Sequence, residues 1–78
     1  MKVADLIKLI SFYTRYKLIG AKTGKTLYKS WVNKNLDKFK DLDVADAPLD
    51  VSFHVQYGVI TGEPEYMRPI ILIYVSGL

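Results

Sequence analysis

Between Leu49 and Tyr57 the chain alternates without a break. Leu49, Val51, Phe53, Val55 and Tyr57 fall on one side, and Asp50, Ser52, His54 and Gln56 on the other. A period of two sends successive side chains to opposite faces of an extended backbone, so this stretch reads as a strand with one apolar face. The run from Ile70 to Val75 does not alternate. Being apolar on both faces, it has the pattern of an interior strand covered from both sides, opened by Pro69. Between the two, residues 58–68 carry Gly62, Pro64 and the Glu63/Glu65 pair and contain a turn, while Val59 and Ile60 can extend the preceding strand.

Upstream, Val3, Leu6, Ile7 and Ile10 recur at helical spacing with Lys2, Asp5 and Lys8 opposite them. The spacing predicts a short amphipathic helix over residues 3–12, with Phe12 and Tyr13 closing its last turn and no good N-cap at Lys2. Residues 14–32 read as a hairpin of two strands flanking Lys22-Thr23-Gly24. Gly24 supplies the left-handed residue of a three-residue loop, since a two-residue Thr23-Gly24 loop would force a β-branched residue to positive φ. That loop pairs Ala21 with Lys25, Ile19 with Leu27, Leu18 with Tyr28, Lys17 with Lys29 and Arg15 with Trp31. Leu36, Phe39 and Leu42 then share a face behind Asn33 or Asn35 as cap, which predicts a second short helix. Residues 43–48 read as a loop or short extended piece.

The resulting order, α-β-β-α-β-β with hairpin-length connections, predicts an α+β fold. It is a small two-layer domain in which an antiparallel four-stranded sheet carries one or two short helices, with residues 70–75 inside the sheet. No repeat, low-complexity segment or linker divides residues 1–78, so a single domain is expected. A chain of 78 residues buries only roughly 60–65% of its unfolded surface, and without cysteine it has neither a disulfide framework nor thiolate metal ligands to reinforce it. Asp5 and Lys8 break the N-terminal apolar run, no small-residue cleavage site follows, and no apolar stretch approaches the roughly 20 residues of a membrane span. The expectation is a cytoplasmic protein that does not enter a membrane.

The layout has a resemblance. Val3 with Asp5-Leu6-Ile7, a strand running into a polar Gly24-Lys25 turn, Leu27-Tyr28 on the second strand, a short helix with Leu36, and the terminal Ile71-Leu72-Ile73-Tyr74-Val75 strand together resemble small uncharacterised phage and prophage-type proteins of Gram-positive gut bacteria. Residues 45–69 are longer than in that pattern. The resemblance implies a small accessory or interaction protein and assigns no site residue.

Charge is distributed unevenly. Residues 1–42 hold ten cations against three carboxylates, a net +7, while residues 43–78 hold Arg68 against five carboxylates, a net −4, within a formal total of +3. In the expected hairpin register Arg15, Lys17, Lys25 and Lys29 share a face with Trp31, and Lys17 directly opposes Lys29. Like charges in that position are unfavourable unless they spread into water or meet an anion. Cations interleaved with Trp are the ingredients of a strand-based nucleic-acid surface, phosphate neutralisation plus base stacking. The plainer reading is that the lysine stems cover Ile19 and Leu27 and that Trp31 is a core residue at the sheet edge.

Other chemistry finds no support in the pattern. Gly24-Lys25-Thr26 lacks the first glycine of a phosphate loop and leads into a strand. Asp41, Asp43, Asp46 and Asp50 lack the central Gly and distal Glu of a calcium loop. His54 lies two residues from Ser52 on one strand face, too far for a direct hydrogen bond, and Glu63 and Glu65 flank a turn rather than a pocket. No catalytic, cofactor or metal residue is therefore named, and no enzyme activity is expected. The expected function is a non-catalytic module acting through protein–protein contact or self-association as a homodimer, with Ile71, Ile73 and Val75 as its apolar interface. The alternative is a nucleic-acid-binding protein that uses the basic hairpin over residues 14–32.

Overall fold

The computed structural model describes residues 1–10, 13–33 and 35–78, and for Glu65 the backbone only. One helix, α1 (Val3–Ile7), precedes four strands: β1 (Arg15–Gly20), β2 (Thr26–Lys29), β3 (Val44–Tyr57) and β4 (Pro64–Val75). They form one sheet in the order β2-β1-β4-β3. β1 with β2 and β3 with β4 are antiparallel hairpins, and the two hairpins join where β1 runs parallel to β4. Residues 70–75 do lie inside the sheet, between β1 and β3, as their two-sided apolar pattern requires.

The expected α+β class is corrected. With a single five-residue helix beside four strands, the protein is predominantly β, its sheet is mixed rather than antiparallel, and the order is α-β-β-β-β. Among the described residues there is no second helix. Residues 36–42 form successive turns in which Phe39 N–H donates to Leu36 and Leu42 N–H to Phe39, so Leu36, Phe39 and Leu42 reach the core from turns rather than from a helix face. The first helix is also shorter than expected. Residues 9 and 10 continue in three-residue turns, and its predicted end at Phe12 lies outside the described residues. The missing N-cap has a replacement: Val3 N–H donates to the Leu42 carbonyl at 2.9 Å and Ala4 N–H to that of Lys40 at 3.0 Å. The turn segment thus satisfies donors that a helix start leaves open.

Register decides which side chains share a face. Tyr16, Leu18 and Gly20 of β1 sit beside Ile71, Ile73 and Val75 of β4, with Tyr28 opposite Leu18. This face carries the core, in which Val3, Leu18, Ile73 and Val75 are fully buried with Leu6 and Tyr28 around them. The expected interface residues are corrected accordingly. Ile73 and Val75 are fully buried in a cluster with Val3 and Leu6 of the chain's own α1 and present no free surface, while Ile71 packs against the same cluster and is only partly exposed.

The roof of α1 and residues 36–42 covers only the middle of the sheet. β3 and β4 run on beyond β1, whose pairing with β4 ends at Ile70, leaving residues 53–57 and 64–69 as a two-stranded arm. Six residues of overhang amount to about 20 Å. The consequence is an elongated body of 45 × 25 × 20 Å with a radius of gyration of 14.0 Å, against about 11.5 Å for a compact chain of this length.

Candidate interaction surfaces

The basic hairpin is partly as expected. Lys17 opposes Lys29 and Leu18 opposes Tyr28 in the expected register, but a bulge between Leu18 and Ile19 then pairs Ile19 with Thr26. A bulge places two residues opposite one. Leu27 joins the core side with Tyr28, and the loop lengthens to Ala21–Gly24, closed by Gly20 N–H donating to Lys25 at 2.9 Å. Gly24 holds the positive φ assigned to it, 73°. Lys25 therefore sits at the turn, outside β2 and out of register with Lys17 and Lys29.

Arg15, Lys17 and Lys29 share the face opposite the core, through the pairings Arg15–Ile70, Lys17–Leu72 and Lys17–Lys29. The Arg15 guanidinium lies 5.4 Å from the Trp31 ring centre and the Lys17 ammonium 5.9 Å from it. Each such contact contributes about 0.5–1 kcal/mol at an exposed site, and both compete with base stacking for the same indole. Arg68 belongs to the same face, beside Ile70 by alternation, and covers Tyr66 at 5.2 Å. Sequence reasoning missed both, because only the parallel β1–β4 pairing brings them alongside the hairpin. Among the described residues, the ion pairs are Lys2–Asp43 at 3.0 Å and Lys40–Asp37 at 3.5 Å, and neither involves these four cations.

A second surface is apolar. On the core-side face of β3, beyond the roof, Leu49, Val51, Phe53 and Tyr57 are 55–60% exposed, and Met67 on the paired strand is 59% exposed. The alternation that identified this strand gave its apolar face but not its exposure. A period of two looks the same whether its apolar face is roofed or open, so the sequence carried no signal for the difference.

The sheet edges differ as well. At the β2 edge, Lys29 N–H donates to Asn33 Oδ1 and its carbonyl accepts Asn33 N–H, both at 2.9 Å. The start of β3 is screened by the N-terminus, where Val44 N–H donates to the Met1 carbonyl at 3.0 Å and Lys2 bridges Asp43. Pro48 and a register irregularity between Val44 and Leu49 follow. From Leu49 to Tyr57 the outer edge keeps one guard among the described residues, the Asp50 carboxylate accepting Val51 N–H at 2.7 Å.

The remaining candidates stay dispersed. His54 is exposed opposite Arg68. Asp43 is held below the usual carboxylate range by its hydrogen bond from Lys2 and by that ammonium's charge. Among the described residues no three of His, Asp and Glu converge as metal ligands, and the Glu65 half of the Glu63/Glu65 pair lies outside the described side chains. A cleft of about 470 Å³ beside Trp31 has Ile7, Ile10, Tyr13, Arg15 and Tyr16 in its described lining, without a carboxylate or histidine.

Among the described residues, no helix is long and apolar enough to cross a membrane. Comparison with known proteins finds no matching family model, no similar curated protein and no similar solved structure.

Proposed function

We propose that the protein is a non-catalytic contact module that engages another polypeptide through the uncovered apolar face of β3 and β4. One observation carries this reading: Leu49, Val51, Phe53 and Tyr57 stand exposed along one face of β3 with Met67 beside them on β4. Exposed apolar area of that kind marks interaction surfaces, and a two-stranded ribbon is only marginally stable in water without something packed on it. An accessory role in a phage or mobile element, which the chain layout resembles, is compatible with such a module.

A second reading, contact with a polyanion, is favoured by Arg15, Lys17, Lys29 and Arg68 on the opposite face. Its weakness is Trp31, whose ring is taken up by Arg15 and Lys17.

Site-specific photo-crosslinking in cells separates the two. With the photoreactive residue at Phe53, the contact reading expects discrete adducts that resist nuclease and are destroyed by protease, and few adducts from Lys17. Nuclease-sensitive adducts from Lys17, with none from Phe53, would overturn it in favour of the polyanion.

A further inference from the structure

We propose that the partner is a second copy of the chain, whose β3 pairs antiparallel with β3 along its open edge about a twofold axis at Phe53, setting the two apolar rows side by side in one sheet face. This rests on the contact reading above and names its partner.

The first support is where the edges are guarded. Natural sheets blunt open edges with charge, proline, bulges or covering segments. Here β2 is short, flanked by Lys25 and Lys29 and closed by Asn33, and β3 is screened as far as Pro48. Residues 49–57 carry no lysine, proline or bulge before the irregularity at Gln56/Tyr57. Edge protection thins to the Asp50 carboxylate, which pairing would displace from Val51 N–H, along the same stretch that exposes the apolar row.

The second support is self-complementarity. An isologous interface needs a surface that matches itself. With Phe53 opposite itself, Val51 meets Val55 of the partner subunit and Leu49 meets Tyr57 of the partner subunit, all on the apolar face. On the polar face Asp50 meets Gln56 of the partner subunit and Ser52 meets His54 of the partner subunit. No like charges face each other, and Phe53 is the midpoint of the alternating segment, so overlap is maximal.

The third support is shape. The chain exposes 5709 Å², against roughly 4,800 Å² for a compact monomer of its mass, an excess in keeping with the elongated body that carries β3 along its outer side.

Sedimentation equilibrium tests the proposal, using wild type, Phe53→Glu, Phe53→Lys and an equimolar mixture of the two variants. Wild type should sediment at twice the 8.9 kDa chain mass, each variant alone as monomer, and the mixture as dimer again, because opposite charges then meet at the axis. Phe53 is exposed, so both variants should keep the wild-type circular dichroism. As a second measurement, Phe53→Cys supplies the sole thiol of a cysteine-free chain and should be bridged efficiently by a short bis-maleimide, while Val32→Cys on the far side of the sheet should not. Wild type sedimenting as a monomer at high micromolar concentration, or a mixture that stays monomeric, would overturn the Phe53-centred dimer. Protein adducts from Phe53 in the cellular experiment would then leave the contact reading standing with a different partner, and their absence would remove both.

Discussion

Tyr16 is the residue through which pH should act most clearly on this fold. Burial beside the core, reinforced by the charge and hydroxyl of Tyr28, pushes its phenol up to about 12 from an ordinary 10.0, and the two rings stack with centres 6.0 Å apart. A folded value above the unfolded one means that the neutral phenol stabilises the native state. That contribution is complete below pH 10 and disappears as pH climbs towards 12. Wild type should therefore lose urea resistance across this window faster than Tyr16→Phe, which keeps the ring and removes the proton. Parallel losses in the two proteins would contradict the assignment. Trp31 gives a second lesson at this scale. Its neighbours in sequence announced a cationic, aromatic face, but only the distances to Arg15 and Lys17 show that the chain's own cations use the ring.

At the scale of elements, the end of β1 is set by a close approach. A Cβ at Gly20 would lie 2.6 Å from the Leu78 carbonyl carbon and 2.7 Å from its oxygen. That oxygen accepts Lys22 N–H at 2.6 Å and Thr23 N–H at 3.1 Å. The obstacle is backbone already engaged in two hydrogen bonds. Gly20→Ala should accordingly destabilise the protein by about 1–3 kcal/mol, lowering the melting temperature by roughly 4–8 °C per kcal/mol in a domain of this size. An unchanged melt would show that the loop yields freely. The same scale explains what could be read beforehand. Residues 49–57 and 70–75 were legible because burial on one face or on both leaves a direct imprint on the period. Leu36, Phe39 and Leu42 misled because they are spaced by three throughout, which suits consecutive three-residue turns as well as the face of a helix. Their delivery to the core was legible and their backbone was not. The parallel β1–β4 pairing left no local trace, since neither strand's pattern names its neighbour. The placement of Ile71, Ile73 and Val75 inside the core, and of Arg68 beside the basic hairpin, was hidden for that reason.

For the whole molecule the governing fact is a mismatch between the reach of the second hairpin and that of the roof over it. α1 and residues 36–42 cover Leu18, Ile73 and Val75 and leave Leu49, Val51, Phe53 and Met67 exposed. Pairing two such chains along β3 would turn two exposed ribbons into the centre of one continuous eight-stranded sheet. It would also leave both basic faces on the same side, because a twofold axis perpendicular to the sheet preserves its faces. Amide hydrogen exchange across residues 49–57, followed at low and high protein concentration, tests this account most directly. The account predicts that protection of this segment rises steeply with concentration, while residues 70–75, flanked by β1 and β3 within each chain, stay protected throughout. Fast exchange of residues 49–57 at every concentration would contradict it.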